Sequence, residues 1–170
     1  MVAYKEGEDE MKSKKVWNGE YRSIPFEINK FKIGGKDCWT FYLFFREKQF
    51  NEDFFESIWI DGKPLKISPR HIVYRYEETA IGNLNWHCGC TFYSKSGGHD
   101  GNQRVVQAGC DYQHLWDEGN HYNEHVIEKD ACECIDSLYK YVTPKRWCTW
   151  CGEYFTGSET AKRCDKCVDK

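Results

Sequence analysis

From residue 16 onward the chain alternates between apolar or aromatic runs and short stretches of turn residues. Residues 16–21 and 26–33 predict strands. In the second, Phe26 and Ile28 fall on one side, and Glu27, Asn29 and Phe31 on the other. Gly34-Gly35-Lys36-Asp37 marks a turn. The unbroken run Cys38-Trp39-Thr40-Phe41-Tyr42-Leu43-Phe44-Phe45 then predicts a central strand covered on both faces. Residues 47–56 read as a short helix or loop. Ser57-Ile58-Trp59-Ile60 and Lys63-Pro64-Leu65-Lys66-Ile67 flank Asp61-Gly62, a strong hairpin signal, with Pro64 placing the return strand at an edge. Residues 72–76, 85–93 and 104–112 predict three further strands, and the Gly-rich residues 94–102 a mobile loop.

After Gly119-Asn120 the period changes to that of a helix. Ile127, Ala131, Cys134, Leu138 and Val142 recur every three or four residues, and Ile135 widens the stripe, so residues 122–142 predict one amphipathic helix. It ends at Thr143, because a residue before proline disfavours helical backbone. The expected fold class is α+β: a mostly antiparallel sheet with one long C-terminal helix packed on it, followed by a small zinc module. The expected organisation is a charged flexible tail over 1–15, an α+β domain over 16–143 and a zinc-binding module over 144–170.

Composition changes this picture in two ways. Leu, Ile, Val and Phe make up only 33 of 170 residues, a level near that of disordered chains. Seven Trp and eleven Tyr add apolar area, and the net charge of −3 is far too small for that class, so the core is expected to be aromatic-rich. No apolar run approaches the ~20 residues of a membrane span, and the first fifteen residues lack the apolar segment of a signal peptide. A cytoplasmic location without membrane contact follows as an expectation (the host cytoplasm, for a phage-encoded chain). In that reducing setting ten cysteines point to metal binding or burial rather than disulfides.

The most specific signal is Cys148-Thr149-Trp150-Cys151 and Cys164-Asp165-Lys166-Cys167, with twelve residues between the pairs. Each pair can turn two thiolates onto one ion, and two pairs supply the four sulfurs of a tetrahedral Zn²⁺ site. So short a segment has no core of its own, so metal affinity is expected to supply its folding energy. From Lys145 on it carries six Lys+Arg against four Asp+Glu. Arg146, Lys162 and Arg163 beside Trp150 are candidates for phosphate contact and base stacking, set against a solvated lobe whose tryptophans pack on the main domain.

A second constellation lies in Trp86-His87-Cys88-Gly89-Cys90-Thr91-Phe92-Tyr93 and Ala108-Gly109-Cys110-Asp111-Tyr112-Gln113-His114-Leu115-Trp116-Asp117. Spacing alone allows Cys88, Cys90, Cys110 and His114 to form a second metal site. If residues 85–93 are a strand, however, Cys88 and Cys90 share one face and His87 and Gly89 the other, so His87 and the cysteines diverge. His87, Asp111, His114 and Asp117 are residue types that bind metals or move protons, and the three-residue spacing of the last three brings them to one side of a helical turn. They read either as a metal or acid/base centre or as a structural polar knot. His71, His99, His121 and His125 have no partner by spacing. Cys132 and Cys134 diverge around the helix, which places Cys134 in the core.

These two segments resemble a signature of small proteins carried by tailed phages and prophages. In it a His-Gly-Gly-hydrophobic-Thr-aromatic segment precedes Gly-Phe-Asp-Cys-Ala-His-x-x-Asp, and a helix with an acidic pair follows. His87, Gly89, Thr91, Gly109, Asp111, His114 and Asp117 match it, while Cys88, Cys110 and Tyr112 depart from it. The match covers roughly residues 84–142. The resemblance implies a setting and no particular chemistry.

Three functions follow as expectations. The first is a zinc-binding accessory protein of a phage or mobile element that binds a host or viral macromolecule, chiefly a protein, and so counters a host defence. The second is a metal-dependent hydrolase or nuclease using His87, Asp111, His114 and Asp117. The third is a nucleic-acid-binding regulator acting through the zinc module.

Overall fold

The computed structural model of the chain describes residues 14–50, 58–60, 63–65, 79–97, 103–114, 117, 119–140, 142–158 and 160–168. Strands β1 (Lys15–Tyr21), β2 (Ile24–Ile33) and β3 (Lys36–Arg46) form an antiparallel meander, and a 3₁₀ turn over Glu47–Gln49 follows. A separate hairpin pairs β4 (Ile58–Ile60) with β5 (Lys63–Leu65), as the Asp-Gly signal predicts. Strands β6 (Phe92–Ser96) and β7 (Val105–Asp111) complete the main sheet, whose order is β1-β2-β3-β7-β6, antiparallel throughout. Helix α1 (Glu124–Tyr139) follows, then the small hairpin of β8 (Arg146–Trp147) and β9 (Tyr154–Phe155). The fold is α+β. Among the described residues no helix is long and apolar enough to cross a membrane.

The register explains the core. Trp17 lies opposite Ile28, Ile28 opposite Phe41, and Phe41 opposite Cys110, so one row of side chains crosses four strands on one face. The next row runs through Phe26, Leu43 and Ala108, all buried. Helix α1 lies on this face over β1, β2 and β3, and buries Ile127, Ala131, Cys134, Ile135 and Leu138 against it. The helical stripe read from the sequence is thus the buried stripe. Its start is set by Asn123, whose Oδ1 accepts hydrogen bonds from the N–H groups of His125 (3.0 Å) and Val126 (3.1 Å). Tyr122 therefore falls before the helix, where it serves the site described below.

The chain departs from expectation at residues 85–91. These do not extend as a strand; residues 79–90 form a chain of turns, and pairing with β7 begins only near Thr91. Three contacts fix the turns. The Trp86 indole N–H donates to the Ile81 carbonyl (2.7 Å), its ring stacks on Phe41, and the Asn85 N–H donates to Ser137 Oγ on the helix (3.0 Å). At the tip Cys88 and Gly89 both have positive φ, +56° and +106°. Two successive left-handed residues favour glycine, which Gly89 supplies and Cys88 does not. Gly109 has a separate cause: a Cβ there would stand 2.4 Å from the Tyr42 ring and 2.5 Å from the Phe41 carbonyl oxygen.

Of the expected tail over 1–15, Lys15 already belongs to β1, and of the expected loop over 94–102, residues 94–96 belong to β6; residues 1–13 and 98–102 and the expected strand at 72–76 lie outside the described residues.

Candidate metal centre

Cys148, Cys151, Cys164 and Cys167 bring their sulfur atoms within 4.8 Å of one another. Local folding explains the convergence. The first pair sits in the β8–β9 hairpin, closed by Cys148 N–H to Glu153 O (2.9 Å) and Gly152 N–H to Cys148 O (3.0 Å). Gly152 has φ +73°, the left-handed conformation that turns the chain back over the sulfurs. The second pair is turned by a 3₁₀ element over Asp165–Cys167, with Cys167 N–H to Cys164 O at 2.8 Å. The two halves are tied together at Thr149, whose N–H and hydroxyl both reach Lys162 O (3.0 Å each), and at Arg146 Nε, which reaches Ala161 O (2.9 Å).

The donor set fits a metal ion such as zinc. Tetrahedral sulfurs at ~2.3 Å from a common ion are about 3.8 Å apart, and Cys151 Sγ and Cys164 Sγ stand 3.7 Å apart. The Cys164 N–H points at Cys148 Sγ (3.3 Å), the amide-to-sulfur bond that supports a thiolate. Backbone N–H donors, first from Cys151 and then from Cys164 and Trp150, hold the Cys148 thiol down at about 6. Burial and the neighbouring thiols push Cys167 up to about 12. A divalent cation at such a cluster supplies the positive charge that favours thiolates. Cys148, Cys164 and Cys167 are buried with Phe155 against them, and Cys151 is exposed.

The lobe is seated on the sheet domain through Gln49, which is buried. Its Nε2 donates to Ser23 O (2.8 Å), and the Lys145 N–H donates to Gln49 O (2.7 Å). Tyr154 O–H donates to Gln103 Oε1 at 2.9 Å. Trp147 and Trp150 are 47% and 57% exposed, so neither tryptophan is consumed in docking the lobe. Arg163 lies over the Trp150 ring at 4.9 Å, and Lys162 and Lys166 on the same lobe are exposed.

The central constellation has a different character. Asp117 is buried, and its Oδ1 meets His87 Nε2 (3.0 Å) and the Tyr122 hydroxyl (2.5 Å). Its Oδ2 accepts from the His114 N–H (3.0 Å). Burial alone would raise this carboxyl, but the donors from Tyr122, His114 and His87 more than offset it and leave it below its ordinary range. Burial, and then the same contact with Asp117, push Tyr122 up to about 12. The His87 ring stacks on Tyr112 (4.1 Å between centroids), and Tyr112 O–H donates to Asp130 Oδ2 on α1 (2.8 Å). Tyr112, Tyr122 and Asp130, invisible to spacing, are thus integral to the cluster. Asp111 Oδ1 lies 3.9 Å from His114 Nε2. An open cleft of about 530 Å³ borders the cluster, lined in part by Lys36, Cys38, His114 and Asp117.

Among the described residues the C-terminal quartet is the one group of three or more potential ligands that converges. Cys88, Cys90, Cys110 and His114 do not gather at one point: Cys88 is exposed on the turn, while Cys90 and Cys110 are buried in the core. Burial raises the thiols of Cys110 and Cys134, so both act as neutral apolar side chains. His87, Asp111, His114 and Asp117 are neighbours, yet their ligand atoms do not converge either. No known protein family, curated protein or solved structure matches this chain.

Proposed function

We propose that the chain is a zinc-stabilised accessory protein that acts by binding a macromolecule through its C-terminal lobe. The observation that carries this reading is the convergence of four cysteine sulfurs in a lobe whose outer surface is aromatic and basic. A tetrathiolate site leaves no position open for substrate, so the metal serves folding and presentation rather than catalysis. The central histidines and aspartates support a structural part: both Asp117 oxygens are engaged by donors, and the bonds join the residue-87 turn, the loop after β7 and the approach to α1. A phage or other mobile element as the setting follows from the signature residues alone.

The test is metal stoichiometry on the purified chain, wild type against His114→Ala. One zinc equivalent in both proteins is the expected result. A second equivalent that disappears in His114→Ala, with the fold retained, moves the assignment to a metal-dependent hydrolase centred on His87, Asp111, His114 and Asp117.

A further inference from the structure

Between the zinc lobe and the end of the sheet lies a cleft of about 650 Å³, the size of pockets that enclose small organic ligands. One wall is Trp147, whose ring makes a T-shaped contact with Tyr154 (5.1 Å, 72°) and is nearly half exposed. The other wall is the 3₁₀ turn after β3, with Lys48 and Phe50. Gln103 lies at the floor. Its Oε1 is fixed by the Tyr154 hydroxyl, which orients the amide, while its buried Nε2 has no hydrogen-bond partner among the described residues. A buried donor in that condition carries an unrecovered desolvation cost, which an acceptor on a seated ligand would recover.

The charges around the cleft separate by sign. Its two carboxylates have cations of their own: Glu47 lies 3.8 Å from Arg104, and Glu153 lies 4.0 Å from Lys166. Lys48 and Lys145 have no carboxylate within 4.0 Å among the described residues. Outside this cleft, on the same lobe, Trp150 is exposed with Arg163 over its ring.

We propose that this cleft seats an unpaired base of a single-stranded nucleic acid, and that the strand runs on across Trp150. This deepens the macromolecule-binding reading by naming the partner, and it rests on that reading. Trp147 supplies a stacking face, the Gln103 amide a donor to a base carbonyl or ring nitrogen, and Lys48 and Lys145 the contacts to flanking phosphates. A duplex cannot present a base to such a cleft, so single strands are preferred. An acidic protein segment would meet the lysines but would use neither the stacking face nor the amide.

The experiment is fluorescence anisotropy of labelled 12-mer oligothymidylate and oligouridylate titrated with the zinc-loaded full chain. Duplex DNA and poly-glutamate serve as competitors. Trp147→Ala is expected to weaken binding about tenfold or more, with Trp147→Phe restoring most of it. Lys48→Glu, outside the zinc lobe, is expected to weaken binding and to lower the slope of log affinity against log salt by roughly 0.7 or more. Zinc content is measured on every variant, so a lost lobe is not mistaken for a lost contact. Absence of oligonucleotide binding, equal affinity in Trp147→Ala with zinc retained, or equal competition by poly-glutamate overturns the inference. Each of these leaves the zinc stoichiometry intact, so failure here is distinct from failure of the broader reading.

Discussion

Replacement of Asp117 separates a structural knot from a catalytic centre, because the two roles predict opposite effects on stability. The carboxylate is only 8% exposed and accepts from His87, Tyr122 and the His114 N–H at 2.5 to 3.0 Å. Hydrogen bonds to a charged acceptor are worth about 1.5–3 kcal/mol each. Three such bonds are not additive, and the mutant recovers the cost of burying the charge, so a net loss of about 3 kcal/mol is the expected size for Asp117→Ala. Asp117→Asn keeps the shape but turns an amide donor toward groups that already donate, and should lose about 2 kcal/mol. The assay is urea unfolding followed by tryptophan fluorescence, with Trp86 stacked on Phe41 as a reporter inside the core. The pH dependence gives a second readout. The folded carboxyl sits below its ordinary value, so its contribution is present above the unfolded pKa of about 3.9 and is lost as pH falls through the lower, folded one. The stability gap between wild type and Asp117→Asn should therefore be full at pH 7 and shrink below about pH 4. A catalytic carboxylate held in tension would instead give a mutant of equal or greater stability. A loss under 0.5 kcal/mol for Asp117→Ala, or a gap that does not change with pH, refutes the knot.

Three further outcomes are expected. Cys88→Gly relieves an L residue at φ +56° and should raise stability by roughly 1 kcal/mol in the same urea assay; a loss would show that the thiol is needed where it stands. Leu138→Ala removes a fully buried contact between α1 and the sheet and should cost about 2–5 kcal/mol by urea midpoint. Chelation of the metal should abolish protection of amide exchange over residues 146–168 while β2, β3 and α1 keep theirs, since among the described residues Phe155 alone packs on its sulfur cluster; uniform loss across the chain would contradict a separately stabilised lobe.

The parts legible in the sequence were those fixed by local periodicity. The helical stripe from Ile127 to Leu138 has a strong period and the apolar run of β3 is unbroken; a helix and the middle strand of the sheet form there. The four terminal cysteines were legible because metal ligation imposes its own spacing, independent of the fold around it. The segment from Asn85 to Cys90 misled for a physical reason. Its aromatic and cysteine residues suit a strand, yet Trp86 and Cys90 are buried by turns pinned through Ser137 and Ile81, contacts far along the chain or specific to one indole. That difference also sets aside the strand alternation as a guide to Cys88 and Cys90: one is exposed and the other buried through turn geometry. Asp117 and His114 are legible by residue type and spacing. The Tyr122 hydroxyl on Asp117 and the Asp130 carboxylate on Tyr112 are not, because the loop after β7, the entry to α1 and the helix itself meet only in three dimensions. Gln103 and Lys48 carried no signal at all, since the cleft they line forms where the lobe docks on the sheet.

X-ray absorption at the zinc edge of the chain as purified tests the central claim most directly. Four sulfur scatterers at about 2.3 Å, with no nitrogen or oxygen in the ligand shell and one zinc per chain, are the predicted result. A shell containing nitrogen or oxygen, or a chain that folds fully with no zinc bound, contradicts it.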